Sequence, residues 1–133
     1  LILLAGLGVG MLAAAVLNLN NMRDIETDAM VGKRTLAMRM GLKAAKQYQG
    51  VLVLGAYVAS GAYVWFQAPL TCSRSFLFVA VLPLMLSGLR DMRKASNPAQ
   101  LDALLKPLAM QTALFAIMLG VGLLIDSNAC AAP

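Results

Sequence analysis

A long run without a charged side chain, from Leu1 to Leu17, opens the sequence and restricts what the chain can fold into. Three further apolar stretches follow it, and the chain is 60% hydrophobic and only 13% charged. A bilayer core about 30 Å thick requires about 20 mostly apolar residues per helix. The sequence therefore predicts an all-α, polytopic transmembrane helical bundle with four spans, at about 1–19, 48–66, 70–89 and 108–125.

The third of these spans is the least regular. It has Arg74 near its start and Pro83 inside, so its uncharged core runs only from Ser75 to Leu89. A secretory signal is an alternative for the first stretch, but such signals begin with Met and a basic region. Because Leu1 has neither before it, we expect the chain to be a piece of a longer protein.

Lysine and arginine are concentrated in two of the segments between spans. Short loops rich in these residues stay on the cytoplasmic side, so we expect an integral membrane protein with both loops cytoplasmic and both chain ends on the other side. The net charge of +5 lies beside apolar spans, where anionic lipid headgroups explain it better than nucleic acid does. Ten of the eleven basic residues lie in these loops: Arg23, Lys33, Arg34, Arg39, Lys43 and Lys46 in the motif loop 20–47, and Arg90, Arg93, Lys94 and Lys106 in the loop 90–107.

The two cysteines, Cys72 and Cys130, both fall on the non-cytoplasmic side in this topology. A disulfide between them is possible in an oxidising compartment, and two unpaired thiols are an equally good interpretation. The chain contains no histidine, which argues against a zinc site.

Two local patterns predict packing and capping. Small residues at four-residue spacing, Gly6 with Gly10 and Gly55 with Ala59, are typical of helices that approach closely in membranes. In the second basic loop, Asn97 and Pro98 precede leucines spaced by three and four. This spacing predicts a short amphipathic helix at the inner membrane surface, capped by Asn97.

The chemistry is concentrated just after the first span. If that helix continues, Asn21, Asp24 and Asp28 share one face, because residues at i, i+3 and i+7 fall within about 60° of each other. Two carboxylates one helical turn apart repel each other, and a divalent cation would remove that repulsion. Mg²⁺ prefers oxygen ligands and commonly combines one or two carboxylates with phosphate oxygens of its substrate. Asp24 and Asp28 are therefore candidate metal ligands.

The basic residues of the segment suit a diphosphate. Arg23, Lys33 and Arg34 supply cationic donors for phosphate oxygens, and Gly32 can end the helix so that the chain turns back. Two plainer interpretations stay open. The basic residues can serve only to orient the spans, and the two aspartates can belong to a solvated loop.

The run Asn20-Asn21-x-Arg23-Asp24-x-x-x-Asp28, followed by Gly32-Lys33-x-Thr35-Leu36 and Gly41, resembles the second aspartate-rich motif of the UbiA superfamily of intramembrane aromatic prenyltransferases. Within that superfamily it is most similar to the 1,4-dihydroxy-2-naphthoate polyprenyltransferases of menaquinone synthesis. The double Asn before Arg-Asp and the Gly-Lys-x-Thr-Leu tail favour this branch over the hydroxybenzoate, haem and chlorophyll branches.

The resemblance implies a nine-helix bundle in the bacterial inner membrane, with two cytoplasmic aspartate-rich loops that hold Mg²⁺ and a polyprenyl diphosphate. Asp24 and Asp28 would then be the catalytic metal ligands, and Asn21, Arg23 and Lys33 would bind the diphosphate. An aromatic acceptor, 1,4-dihydroxy-2-naphthoate in this branch, would receive the prenyl group.

The chain departs from the family pattern in one respect. It contains no earlier Asn-Asp-x-x-Asp motif, so we expect its four spans to be the last four of nine and the chain alone to be inactive. Two alternatives remain: a non-catalytic membrane module whose aspartates line a polar mouth, and a superfamily member with another aromatic acceptor.

Overall fold

The structure, a computed structural model, describes residues 2–67 and 74–130, with side chains for 2–66 and 75–125. All regular structure in these residues is helical. A 3₁₀ helix at Arg74–Val81 leads into the fifth of six α-helices. The α-helices are α1 (Ile2–Arg23), α2 (Ile25–Met30), α3 (Leu36–Met40), α4 (Leu42–Gln67), α5 (Leu82–Lys94) and α6 (Pro98–Cys130).

Four helical segments are long and apolar enough to cross a membrane. The all-α, four-span membrane bundle expected from the apolar stretches is therefore confirmed. The helices extend beyond the predicted spans on the basic side, since α4 begins at Leu42 and α6 at Pro98. The four segments are Ile2–Arg23, Leu42–Phe66, Ser75–Lys94 and Pro98–Ile125.

Helices α1 and α4 pack antiparallel along most of their length. Near the start of α1, Gly8 faces Ser60 of α4. Near its end, the buried Asn18 side chain donates hydrogen bonds to the Ala45 carbonyl at 3.0 Å and to Gln49 Oε1 at 2.8 Å. Because an unpaired amide in an apolar bundle would cost free energy, this pairing fixes the register of the two helices.

Helices α5 and α6 also make contacts at the end of the bundle where Asn18 lies. Lys46 of α4 donates to the carbonyl oxygen of Ala95, just after α5, at 2.6 Å, and Arg23 at the end of α1 reaches Asp102 in α6. We call this end, which contains Arg23, Lys46, Ala95 and Asp102, the motif end of the bundle. The two basic loops therefore lie on one side of the predicted membrane-spanning region.

The irregular third span has a local cause in Pro83. Proline lacks an N–H and its ring clashes with the carbonyl four residues earlier, so it is tolerated in the first turn of an α-helix but not inside one. The chain accordingly runs as a 3₁₀ helix over Arg74–Val81 and changes to α-helix at Leu82, which places Pro83 in the first turn of α5.

The start of α6 partly confirms the predicted interfacial helix. Asn97 Oδ1 accepts a hydrogen bond from the Gln100 amide at 2.9 Å, and Gln100 Oε1 accepts one from the Ser96 amide at 2.7 Å. These two bonds form a reciprocal cap. The prediction of a short separate helix is wrong, because α6 continues from Pro98 through Pro107 to Cys130.

Glycines set the closest helix contacts. A Cβ at Gly55 would collide with Met11, and one at Gly8 would collide with Ser60, whereas nothing lies within 4 Å of a Cβ at Gly6 or Gly10. The expectation of close packing was therefore right for Gly55 and wrong for the pair on α1, where Gly8 makes the contact. All of these helix faces are apolar, so hydropathy does not distinguish them.

The interior of the bundle is apolar with an aromatic centre. Phe78 packs edge-on against Phe115 at a centroid distance of 5.2 Å, and Tyr57 packs edge-on against Phe115 at 5.0 Å. The possible disulfide stays a prediction, because Cys72 lies outside the described residues and the side chain of Cys130 is not described.

Candidate functional site

The junction of α1 and α2 carries both aspartates of the motif. Asp24 sits between the two helices with φ −95° and ψ 10°, so its backbone departs from α-helical values there. The helical hydrogen bonds nevertheless continue across this residue. The Asp24 amide donates to the Asn20 carbonyl at 3.1 Å, and the Asp28 amide donates to the Asp24 carbonyl at 2.8 Å. Asp24 and Asp28 are therefore one turn apart in backbone terms.

Arg23 makes a bidentate ion pair with Asp24. Its Nε donates to Oδ1 at 2.7 Å and its Nη2 donates to Oδ2 at 2.8 Å. This geometry matches the planar fork of a guanidinium to the two oxygens of a carboxylate. The third nitrogen, Nη1, points away and donates to Asp102 Oδ1 at 2.7 Å. One cation thus joins the motif to α6.

The ion pair keeps Asp24 ionised. The hydrogen bonds from Arg23 hold the pKa of the Asp24 carboxyl below its usual range, and the positive charge of Lys33 acts in the same direction. A nearby cation stabilises the charged form of an acid. Asp24 therefore carries its negative charge throughout the neutral range, as a metal ligand must.

A glycine turn brings Lys33 back to Asp28. Gly32 has a φ of +72°, which costs glycine little and other residues more. The Gly32 amide donates to the Ala29 carbonyl at 3.2 Å, and the Lys33 amide donates to the Asp28 carbonyl at 2.9 Å. These two bonds form a Schellman motif. Gly32 therefore ends α2 as the sequence predicts, and the turn places Lys33 directly beside Asp28.

Asp28 is the most enclosed acid of the motif, at 8% exposed. Lys33 Nζ lies 3.1 Å from Oδ1, to which it donates a hydrogen bond, and 3.0 Å from Oδ2. Oδ2 is buried and accepts no hydrogen bond from the described residues. A buried carboxylate oxygen without a donor retains acceptor capacity.

Lys33 connects the two aspartates electrostatically. Its ammonium group pairs with Asp28 and also lowers the pKa of Asp24. The structure thus brings Asp24, Asp28, Arg23 and Lys33 into one charged cluster. Asn21 lies on the last turn of α1, half-buried, and its side chain forms no hydrogen bond with any described residue.

The carboxylates of the cluster fit a divalent cation only in part. In the described ranges, no group of three or more His, Cys, Asp or Glu side chains is placed to hold a metal ion. Mg²⁺ commonly needs one or two carboxylates when phosphate oxygens and water complete its shell. Oδ2 of Asp28 has Lys33 as an ion-pair partner at 3.0 Å but accepts no hydrogen bond from the described residues, and with Asp24 one turn away it supplies a donor set of that kind.

The segment after the motif forms the short helix α3, which is capped at both ends. Thr35 caps α3, with its Oγ1 accepting a hydrogen bond from the Met38 amide at 3.4 Å, and Gly41 ends α3 with a φ of +79°. Arg34 and Arg39 are exposed.

A cleft of about 170 Å³ lies between the motif and the start of α6, with Arg23 and Glu26 among its polar lining residues.

Asp102 is the residue of this site that sequence reasoning missed. It lies far along the chain from Arg23, with a sequence separation of 79. The available signal was weak: the reciprocal cap at Asn97 starts a helix on the basic side, and Asp102 is the first acid on it.

Comparison with known proteins gives a consistent result. Residues 1–114 match the model of the UbiA prenyltransferase family, and the chain belongs to that family. It is 38% identical over 125 residues to a 1,4-dihydroxy-2-naphthoate octaprenyltransferase of Haemophilus influenzae, covering 93% of this chain and 40% of that protein. No solved structure matches the chain significantly.

Two further relatives carry the same name. The Escherichia coli protein is 32% identical over 105 residues, which is 79% of this chain and 33% of that protein. The Bacillus subtilis protein is 31% identical over 128 residues, which is 93% of this chain and 39% of that protein. The chain therefore spans 33–40% of the length of these curated relatives.

Proposed function

We propose that this chain is the C-terminal portion of an intramembrane prenyltransferase that transfers a polyprenyl group from polyprenyl diphosphate to 1,4-dihydroxy-2-naphthoate in menaquinone biosynthesis. Membership of the UbiA family and the names of the three relatives support the reaction class and the acceptor. The observation that carries the proposal is the charged cluster itself: Asp24 and Asp28 stand one turn apart, with Lys33 acting on both.

Asp24 and Asp28 would hold Mg²⁺, and Asn21, Arg23 and Lys33 would bind the diphosphate. The metal, when bound, supplies positive charge that stabilises the departing diphosphate. Arg23 and Lys33 add hydrogen-bond donors that strengthen as negative charge builds on the leaving oxygens. Both cations are held beside the proposed metal ligands by the acids they pair with, so each has only to exchange a carboxylate for the diphosphate when it arrives.

The remaining chemistry belongs to the two substrates. The allylic carbon–oxygen bond of the donor breaks and diphosphate leaves with the bonding electrons. The electron-rich ring of the acceptor captures the resulting carbocation and regains its aromaticity by losing its carboxyl group as CO₂.

The proposed setting is the bacterial inner membrane, with the motif loop facing the cytoplasm and both ends of the chain on the other side. The concentration of ten of the eleven basic residues in the two loops supports this orientation. The bundle gathers both loops at its motif end, as a single cytoplasmic surface requires.

We further propose that the chain alone does not catalyse prenyl transfer. The motif supplies two candidate carboxylates, the described residues contain no group of three or more potential metal ligands, and the chain matches 33–40% of the length of its relatives. Four helices would then be the last four of a nine-helix bundle, with a second aspartate-rich loop elsewhere in the complete protein.

The test is prenyl transfer by the complete protein in nanodiscs, with Mg²⁺, polyprenyl diphosphate and 1,4-dihydroxy-2-naphthoate. Asp24→Asn and Asp28→Asn should each reduce kcat/KM by about 100-fold or more, the scale for losing one charged group that stabilises a transition state. Asp91→Asn is the matched control, because Asp91 is exposed and lies outside the cluster. Activity of either motif variant within a few-fold of the parent would eliminate the proposed metal ligands.

The same assay tests the acceptor. Competition between 1,4-dihydroxy-2-naphthoate and 4-hydroxybenzoate should favour the naphthoate. A preference for the benzoate would place the protein in another branch of the family. The assignment of Asp24 and Asp28 as metal ligands would be unaffected.

A further inference from the structure

Asp102 is an acidic residue outside the motif that contacts the motif. It lies in the second turn of α6, and its side chain is 62% exposed. Its partner is Nη1 of Arg23, at 2.7 Å. Exposed ion pairs add little stability by themselves, so this contact matters for where it holds Arg23.

The start of α6 holds Asp102 in place. The reciprocal cap formed by Asn97 and Gln100 fixes the first turn. Leu101, the neighbour of Asp102, is only 3% exposed and belongs to the apolar core. Asp102 is therefore presented from a rigid helix rather than from a loose loop.

Arg23 is shared between two carboxylates as a result. Its Nε and Nη2 occupy both oxygens of Asp24, and its Nη1 occupies Asp102. A metal ion at Asp24 would compete with Arg23 for the charge of that carboxylate, so we expect Arg23 to shift when the metal binds. A second carboxylate on the far side of the guanidinium lowers the cost of that shift, because Arg23 keeps a charged partner when it moves.

The net charge of the site also indicates that Asp102 favours metal binding. The charged cluster of two acids and two bases has no net charge by itself, and Asp102 adds one negative charge to it through Arg23. Neutralising Asp102 would leave no net charge. A divalent cation would then be attracted less strongly, and Arg23 would be held by Asp24 alone.

We propose that Asp102 is a positioning residue that acts through Arg23: it gives the guanidinium a second charged partner on α6, so that Arg23 can shift from Asp24 when a metal–diphosphate complex binds there. This inference rests on the proposed function, since it assumes that Asp24 binds the metal.

The experiment measures the binding of Mn²⁺, in the presence of inorganic pyrophosphate, to the complete protein by electron paramagnetic resonance. Asp102→Asn should raise the apparent Kd for Mn²⁺ about two- to fivefold, the range set by one partly exposed ion pair. Asp102→Glu, which keeps the charge, should restore most of the affinity. Asp91→Asn, which removes an exposed charge from α5, should leave the Kd unchanged.

A double-mutant cycle tests whether the effect passes through Arg23. In an Arg23→Gln background, Asp102→Asn should change the Mn²⁺ affinity less than it does in the parent. A parallel cycle on the unfolding of the metal-free protein in EDTA should show favourable coupling between Arg23 and Asp102, a readout that needs neither metal nor turnover.

The outcomes separate the two proposals. If Asp24→Asn weakens Mn²⁺ binding and Asp102→Asn does not, the role of Asp102 is wrong and the proposed function stands. An equal loss in Asp91→Asn would show a general charge effect and would also overturn the role. If neither Asp24→Asn nor Asp28→Asn changes the affinity, the proposed metal ligands are wrong, and the role of Asp102 fails with them.

Discussion

Replacing Gly8 with alanine should weaken the contact between α1 and α4. A Cβ at Gly8 would collide with Ser60 Oγ and stand 3.0 Å from the Ala56 carbonyl oxygen. The hydroxyl can rotate, but the carbonyl belongs to the helix backbone and cannot move without shifting α4. Adding one carbon to a packed interior costs about 1–3 kcal/mol. Helix propensity favours alanine by about 0.8–1.0 kcal/mol, so part of that cost is offset.

Gly10→Ala is the matched control, because nothing lies within 4 Å of its Cβ. It gains the same propensity without the collision. We therefore expect Gly8→Ala to be less stable than Gly10→Ala by about 1–3 kcal/mol. The assay is reversible unfolding in mixed SDS micelles, followed by far-ultraviolet circular dichroism. Equal free energies of unfolding for the two variants would refute the packing derived for α1 and α4.

Three further predictions concern the motif end of the bundle. Asn18→Ala removes hydrogen bonds of 3.0 and 2.8 Å and leaves the buried Gln49 oxygen unpaired; the free energy of unfolding should fall by about 1–3 kcal/mol in the same SDS assay. Gly32→Ala forces alanine to a φ of +72°, which costs about 1–2 kcal/mol, and should speed hydrogen exchange at the Lys33 amide. Hydrogen bonds from Arg23 lower the pKa of Asp24 in the folded protein. The Asp24 carboxylate therefore stabilises the fold fully above its ordinary pKa of about 3.9, and this stabilisation is lost as the pH falls through the lowered pKa. The stability difference between the parent and Asp24→Asn should therefore be constant above about pH 5 and shrink below about pH 4, and a difference that grows on acidification would contradict this.

The sequence was informative about the helices and less so about their faces. Uncharged runs long enough to span a bilayer predict four spans, because the bilayer sets the length. In a membrane, however, the faces that contact lipid and the faces that contact helices are both apolar. Gly6, Gly8 and Gly10 are therefore equivalent by hydropathy, and only the packing against Ser60 shows that Gly8 makes the contact.

Local features of the site could be predicted and distant ones could not. The spacing of Asp24 and Asp28 and the helix end at Gly32 follow from the chain within one or two turns. The bond between Arg23 and Asp102 joins residues separated by 79 positions. It depends on how α1 and α6 meet, which no local pattern encodes. The continuation of α6 through Pro107 was also not predicted, because a proline usually ends a helix.

The central claim is that Asp24 and Asp28 share a magnesium ion with a lipid diphosphate. The most direct measurement is an experimental structure of the complete protein with Mg²⁺ and a non-reactive prenyl thiodiphosphate. We expect Mg²⁺ at about 2.0–2.1 Å from an oxygen of each aspartate, with Lys33 turned from Asp28 towards the diphosphate. A bound diphosphate and metal, with both aspartates still paired only to Arg23 and Lys33, would contradict the account.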